Sequence, residues 1–170
     1  MEIDIDIRPA VPADFDSVGR LTVDAYRADG QLAHDGDYAV TLADAAGRAA
    51  AGELLVAVDA NGTVVGAVTF TPAGTAYAQL ARDGEAEFRM LAVDPAAQAR
   101  GVGEALVRAC VARAESTGAA AVIICTRDFA RAAQRLYARV GFVRVAERDW
   151  SPMPGVDLLA LRLDLRPVPG

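Results

Sequence analysis

The sequence predicts a single α/β (α+β) domain in which a mixed central sheet of about seven strands is flanked by helices. The chain has 170 residues, of which 53% are hydrophobic and 24% are charged, and this is the composition of one globular domain. Its first half contains alternating apolar segments and a hairpin signal, which favour antiparallel strands. Its second half alternates strand and helix patterns, which is typical of parallel pairing.

The elements of the first half begin with a half-buried strand, because Ile3, Ile5 and Ile7 alternate with acidic residues. Further along, Asn61-Gly62 predicts a tight hairpin, since this dipeptide supplies the positive φ angles that such a turn needs. The other elements predicted here are a helix that ends at Gly30, a helix over 39–51, and strands over 54–58 and 64–70.

The elements of the second half follow a predicted loop over 71–84, which carries prolines and glycines without clear periodicity. No linker or internal repeat divides the chain, so residues 1–165 are predicted to form one domain and residues 166–170 a frayed tail. The elements predicted beyond the loop are strands over 85–93, 120–125, 142–145 and 158–165, and helices over 101–117 and 129–140.

Charge and composition exclude several classes of partner. The 17 Lys and Arg residues against 23 Asp and Glu residues give a net charge of −6, which disfavours nucleic acid because phosphate binding depends on clustered cations. No stretch is apolar enough to span a membrane, and the acidic start is unlike a signal peptide. Cys110 and Cys125 are expected to be buried free thiols in a cytoplasmic protein. His34 is the only histidine, so no metal site is expected.

The most informative stretch joins the fourth strand to the next helix and reads Gln98-Ala99-Arg100-Gly101-Val102-Gly103-Glu104. Its glycines let the backbone approach a ligand where the helix N-terminus favours an anion such as pyrophosphate. A Walker A loop needs Lys where Glu104 stands, and a dinucleotide fingerprint needs Gly where Leu106 stands. The alternative is that the two glycines only form a tight loop.

The pattern Gln98-x-x-Gly101-x-Gly103 resembles the signature of the GCN5-related N-acetyltransferase (GNAT) superfamily, Arg/Gln-x-x-Gly-x-Gly/Ala. The segment from Leu136-Tyr137 to Gly141-Phe142 is similar to the family's Leu-Tyr-x-x-x-Gly-Phe, and Ile7-Arg8-Pro9-Ala10 is similar to its first strand. The resemblance implies the GNAT-like acyl-CoA N-acyltransferase fold over essentially the whole chain. It also implies acetyl-CoA as the acyl donor and an amine as the acceptor.

The resemblance further implies which groups hold acetyl-CoA. In the family the pantetheine arm lies along the fourth strand, where a bulge opens the sheet and leaves backbone groups free to pair with it. Those groups belong here to Leu91, Ala92 and Val93. The pyrophosphate is implied to lie on the amides of Gln98, Ala99, Arg100, Gly101, Val102, Gly103 and Glu104.

Two catalytic residues are implied, and each has a structural alternative. Tyr137 matches the family's general acid, which protonates the departing thiolate, but its helical spacing also suits a core aromatic. Glu87 matches the catalytic glutamate of the family's histone acetyltransferases, but it could equally pair with Arg89 or face solvent. Two positions depart from the family: Ala130 replaces a frequent cofactor-contacting Asn, and Cys125 replaces the catalytic Glu of ribosomal-protein alanine N-acetyltransferases.

The function expected from these observations is transfer of the acetyl group of acetyl-CoA to a primary amine by direct attack. The acceptor is left open among a small-molecule amine, a peptide N-terminus and a lysine side chain. A non-catalytic acyl-CoA-binding sensor or subunit with the same fold is the alternative. The oligomeric state is also open, with a homodimer as one arrangement.

Overall fold

A computed structural model of the chain describes residues 4–32, 37–75, 77–98 and 100–165. The predictions made for Ile3, His34, Ala99 and the tail over 166–170 lie outside the described residues. In the remainder, the chain forms five α-helices and eight strands. The helices are α1 (Phe15–Ala28), α2 (Tyr38–Ala43), α3 (Ala45–Ala51), α4 (Val102–Ser116) and α5 (Arg131–Val140). The strands are β1 (Asp6–Pro9), β2 (Glu53–Val58), β3 (Val64–Pro72), β4 (Glu85–Val93), β5 (Ala121–Arg127), β6 (Val143–Arg144), β7 (Trp150–Met153) and β8 (Val156–Asp164).

The described strands form one mixed sheet in the order β1-β2-β3-β4-β5-β8-β6, and β7 pairs with β8 as well. The predicted mixed sheet flanked by helices is therefore confirmed. The second half contains fewer parallel strand pairs than expected, because β4 and β5 are the one parallel pair among the described strands. The reason is that β8 inserts antiparallel between β5 and β6, so the strands on either side of α5 are not neighbours.

Two predicted elements differ in the structure. The single helix expected over 39–51 is two helices, because the backbone of Asp44 leaves the helical region and its side chain accepts a hydrogen bond from Gly47 N at 2.9 Å. The strand β7 was missed, because the sequence there carries a proline and lacks alternation. In the hairpin between β2 and β3, Gly62 has positive φ whereas Asn61 does not.

The two faces of the sheet bury separate hydrophobic clusters. On one face, called the α4 face, Leu106 and Cys110 of α4 pack with Phe70 and Phe88 of the sheet. On the other, called the α1 face, Val18 of α1 and Ala45 of α3 pack against Leu54, Val56 and Ala67. Because strand side chains alternate between faces, each sheet residue can be assigned to one of these two clusters.

Candidate active site

The site begins with a bulge in β4. Ala67 of β3 lies opposite Ala92, but Thr69 lies opposite Arg89, so β4 contains one residue more than its partner. Met90 takes up the extra residue and has φ 57°, which makes it the only non-glycine residue with positive φ in the described chain. The bulge expected in the fourth strand is thus confirmed, and it turns Phe88 and Leu91 to the same α4 face.

A gap opens in the sheet beside this bulge. The pairing of β4 with β5 covers only residues 85–87 of β4, and the two strands diverge beyond them. On the other edge of β4, Asp94 N donates to Val65 O at 2.8 Å. Because backbone groups alternate in direction along a strand, those of Ala92 also face β3, whereas those of Leu91 and Val93 face the gap. An extended ligand in the gap would find free donors and acceptors there.

The turn into α4 presents a second set of free backbone groups. Gly101 precedes the helix with φ 81°, and the first donor to close a helical hydrogen bond is Ala105 N, which bonds to Gly101 O at 3.0 Å. The N–H groups of Val102, Gly103 and Glu104 therefore have no partner within the helix. These amides and the positive end of the helix dipole form the type of site that binds a phosphate group.

The second glycine also has a packing role. A Cβ atom added to Gly103 would lie 3.3 Å from Leu136 Cδ2, so the glycine allows α5 to pack closely against α4. The neighbouring Glu104 would oppose an anion, but it forms ion pairs with Arg108 and Arg139. Hydrogen bonds from these two guanidiniums lower the pKa of Glu104. The turn is therefore a structural junction between α4 and α5 that also presents free backbone donors.

A cavity of about 310 Å³ occupies the gap between β4 and β5 and passes through the sheet. From the α4 face it is lined by Phe88, Ala133 and Tyr137, and from the α1 face by Tyr38, Gln79 and Arg89. The strand β7 and the start of β8 close one end with apolar side chains. Of the residues predicted to bind the cofactor, Leu91 lines this cavity, while Ala92, Val93 and the described residues of the turn, 98 and 100–104, do not.

Tyr137 lies in the wall of the cavity and is only 6% exposed. Its ring packs against Phe88 and Phe142, with centroid distances of 6.0 and 5.9 Å. Burial raises the pKa of Tyr137 well above its ordinary value, so its hydroxyl keeps its proton at neutral pH. The residue is thus part of the core and of the cavity at once.

Glu87 is placed behind the cavity rather than in its lining. The residue is fully buried, and its Oε1 accepts hydrogen bonds from the backbone of Gln79, Leu80 and Ala81 at 2.8 to 3.0 Å. Its Oε2 is buried without a hydrogen-bond partner. Burial raises the pKa of Glu87, while the three backbone hydrogen bonds oppose the shift. The carboxylate therefore holds the loop that carries Gln79 into the cavity wall.

Cys125 is half-buried rather than fully buried as expected, because β5 leaves β4 beyond Ile123 and exposes this side chain to the cavity. Both cysteines are free, as predicted. Burial is the main cause that raises the pKa of Cys125 to about 11. Its thiol is therefore protonated at neutral pH and is not a ready nucleophile.

The sequence did not reveal the side chains that form the α1 side of the cavity. Tyr26 and Tyr38 come from α1 and α2, Gln79 from the loop after β3, and Arg127 from the end of β5. These residues share no motif and are far apart in the chain. One sequence signal would have found Arg127. It lies two residues after Cys125, so in a strand that continues past Cys125 the two side chains share a face.

Two features are absent from the described residues, a cluster of metal ligands and a membrane-spanning helix. No group of His, Cys, Asp and Glu in that part of the chain is arranged to hold a metal ion. Within the same residues, every helix is too short or too polar to cross a bilayer.

Comparison with known proteins adds the evolutionary context. The model of the Acetyltransferase (GNAT) family matches residues 16–142. The structure of histone acetyltransferase HPA2 and related acetyltransferase from Corynebacterium glutamicum has a TM-score of 0.74 and 25% identity, covering 97% of this chain and 99% of that chain. The structure of yncA from Salmonella typhimurium with its cofactor acetyl-CoA has a TM-score of 0.69 and 22% identity, covering 98% of this chain and 97% of that chain.

Another similar structure is ribosomal-protein-alanine N-acetyltransferase from Brucella melitensis, with a TM-score of 0.69, 20% identity, and coverage of 94% of this chain and 99% of that chain. These likenesses confirm the GNAT-like fold expected from the two motifs. No curated protein matches the sequence significantly.

Proposed function

Because the chain belongs to the acetyltransferase (GNAT) family, we propose that it transfers the acetyl group of acetyl-CoA to a primary amine by direct attack. The acceptor is a small-molecule amine, a peptide N-terminus or a lysine side chain. The observation that carries the proposal is the cavity between β4 and β5, because residues of both faces of the sheet line it. Two reactants that approach from opposite faces could meet there. When bound, acetyl-CoA supplies an acyl thioester whose carbonyl carbon can accept an amine.

The residues present fit acetyl-CoA. The free backbone groups of Leu91 and Val93 can pair with the amides of the pantetheine arm as an added strand would. The N–H groups from Val102 to Glu104 suit the pyrophosphate. The position held in many relatives by Asn is Ala130, which lines the cavity and offers no side-chain hydrogen bond. Cofactor binding is therefore expected to rest almost entirely on backbone groups.

The positions of the polar side chains support direct attack. Tyr137 reaches the cavity from the α4 face, whereas Arg89 and Cys125 reach it from the α1 face. An amine that enters from the α1 face would meet the thioester in the gap, with the Tyr137 hydroxyl on the far side. That hydroxyl holds a proton at neutral pH and can donate it to the sulfur as the carbon–sulfur bond breaks.

Amine deprotonation is proposed for Glu87 acting through an intervening water. Its burial behind Gln79 prevents direct contact with an amine in the cavity. Its Oε2 has no hydrogen-bond partner, and its pKa is raised towards the range in which a carboxylate is an effective base. The proposal therefore gives one oxygen of Glu87 a structural role and the other a chemical one.

The proposed function is tested by measuring coenzyme A thiol release from acetyl-CoA with a broad panel of amines. Calorimetry with coenzyme A is run in parallel. Thiol release that depends on an amine supports the transferase, and binding without release would replace it by a non-catalytic acyl-CoA-binding protein. Absence of coenzyme A binding would contradict both.

The chain offers a matched pair of variants for the cofactor site. Gly101 and Gly62 both have φ 81°, and at both an added Cβ would meet open space. Alanine at either position therefore costs a similar backbone strain of about 1 kcal/mol. Gly101→Ala is expected to weaken coenzyme A binding about tenfold by shifting the amides of the turn, whereas Gly62→Ala in the distant hairpin leaves it unchanged. Equal affinities in the two variants would remove the turn from the cofactor site.

A further inference from the structure

The α1 side of the cavity carries two arginines, Arg89 and Arg127, that form no ion pair with any residue in the described part of the chain. The guanidinium of Arg89 donates to Tyr77 O and to the Tyr38 hydroxyl, both at 3.0 Å. The guanidinium of Arg127 donates to Gln31 O at 3.2 Å. All of these acceptors are uncharged. Among the described residues, no carboxylate oxygen lies within 4.0 Å of either guanidinium.

The other arginines with little exposure in the described chain fall into two groups. Arg148 forms an ion pair with Glu85, whereas the fully buried Arg48 lies outside the cavity lining and donates to backbone carbonyls. Arg127 is only 8% exposed, its Nε is buried without a hydrogen-bond partner, and its guanidinium stacks on Phe129 at 4.7 Å from the ring centroid. A desolvated cation without a counter-ion is costly. An anion that enters the cavity would offset that cost.

The other charges around the cavity do not remove this positive character. Asp29 lines the rim, but it is exposed and lies 3.4 Å from Gln31 Nε2. The free oxygen of Glu87 is buried behind the lining, and this carboxylate attracts Arg89 through space without forming an ion pair with it. A third guanidinium, that of Arg48, lies behind α2 and donates to Thr41 O and Leu42 O. Counting the described residues alone, the lining therefore holds two cations, Arg89 and Arg127, and one solvated anion, Asp29.

The size and the remaining walls of the cavity restrict the acceptor further. A volume of about 310 Å³ is at the lower end of small-molecule sites, which suits a compact ligand. Met153, Val156 and Leu158 of β7 and β8 add an apolar wall on the same side. The lining thus combines a place for an anion, a place for an apolar group, and the gap where an amine would react.

We propose that the acceptor is a free α-amino acid with an apolar side chain, whose carboxylate is bound by Arg127 and Arg89. This proposal rests on the proposed function and specifies its acceptor. The carboxylate anchors the molecule on the α1 face, and the neighbouring amine reaches the gap in the sheet. A carbon–nitrogen bond forms to the acetyl carbon and the carbon–sulfur bond breaks. The amine loses one proton and the departing thiolate gains one, so the products are the N-acetylamino acid and coenzyme A.

The test compares three acceptors that differ only at the carboxylate: leucine, leucinamide and isoamylamine. Thiol release is measured at saturating acetyl-CoA. Leucine is expected to exceed both others in kcat/KM by at least about tenfold, as charge-assisted hydrogen bonds to the carboxylate would give. Leucinamide controls for basicity, because its amine loses a proton more readily than that of leucine. Equal or better activity with leucinamide and isoamylamine would overturn the proposal while leaving the transferase intact.

The variants Arg127→Gln and Arg131→Gln separate carboxylate binding from general damage. Arg131 is exposed at the start of α5 and is not in the cavity lining. Arg127→Gln is expected to raise the KM for leucine about tenfold without changing the KM for isoamylamine, and Arg131→Gln to change neither. An equal loss for both acceptors in Arg127→Gln would assign Arg127 a structural role only. If coenzyme A binds but no amine releases thiol, it is the proposed transferase function that fails.

Discussion

The cofactor side and the acceptor side of the cavity are built from different parts of the chain. On the cofactor side, the groups proposed to bind acetyl-CoA are backbone atoms of one segment, from the bulge at Met90 to the first turn of α4. On the acceptor side, the described lining consists of side chains from six separate segments, at 26–31, 38, 79, 89, 125–127 and 152–158. A site made of backbone tolerates most changes in side chains, whereas a site made of side chains can be redirected by single substitutions. This difference explains how one fold can keep one donor and vary the acceptor.

The two sides are also stabilised differently. The turn before α4 is fixed by a glycine conformation and by helix packing. The loop carrying Gln79 is fixed by buried charges, with Glu87 accepting three backbone hydrogen bonds and Arg148 donating to Leu80 O. Substitutions of these charged residues are therefore expected to weaken acceptor binding and to leave cofactor binding unchanged.

The largest effect is expected at Tyr137, which lies in the cavity wall between the cofactor side and the acceptor side. Tyr137→Phe keeps the ring in its aromatic cluster but removes the proton for the thiolate, so kcat is expected to fall about 10²-fold. Steady-state thiol release measures kcat, and calorimetry is expected to give an unchanged affinity for coenzyme A. Tyr77→Phe is the control, because the Tyr77 side chain is not in the cavity lining. Unchanged turnover in Tyr137→Phe would assign Tyr137 to the core alone.

A smaller loss is expected when the acceptor loop is released from β4. Arg148 donates to Glu85 at 2.8 Å, and both side chains are 8% exposed. Arg148→Met is expected to lower the free energy of unfolding by about 2 kcal/mol, less than the loss of a fully uncompensated pair because Arg162 still faces Glu85. Chemical denaturation measures this change, and the acceptor KM is expected to rise while coenzyme A affinity stays the same. A parallel loss of coenzyme A affinity would contradict the separation of the two sides.

The two roles of Glu87 can be separated by two variants. Glu87→Gln keeps an oxygen for the three loop N–H groups and removes the base, so kcat is expected to fall about tenfold with little change in acceptor KM. Glu87→Ala also releases the loop, so its acceptor KM is expected to rise as well. If Glu87→Gln retains the wild-type kcat at every pH, the residue holds the loop and takes no part in proton transfer.

The smallest effect expected is the pH dependence of stability at the same position. Burial raises the pKa of Glu87 in the folded protein, so the folded state binds this proton more tightly than the unfolded state does. The stability of the wild type relative to Glu87→Gln should be greatest below the ordinary carboxyl pKa and should fall as pH rises through the raised pKa. Thermal unfolding is expected to show the difference in Tm moving by about 2 °C between pH 4 and pH 7. A pH-independent difference would contradict the raised pKa.

The sequence by itself determined the parts of this protein that depend on local order. The glycine turn at 98–104, the helix cap at Gly141 and the alternation of Glu87 with Phe88 on β4 were all predictable, because helix starts, helix ends and strand faces are set by neighbouring residues. For the same reason two short motifs were enough to predict the fold and to propose a cofactor side. The division of the helix at Asp44 was missed, because alanine-rich flanks on both sides concealed a capping interaction.

Only the tertiary structure decided which residues line the acceptor side and which residues contact Glu87. The insertion of β8 next to β5 and the divergence of β4 from β5 depend on contacts between segments far apart in the chain. Those contacts bring Arg89 and Arg127 to one cavity and place a loop over Glu87. Pairing between strands that are far apart in the chain leaves no periodic signal in the sequence. The alternation of apolar and polar residues in a strand is the same whichever strand it pairs with.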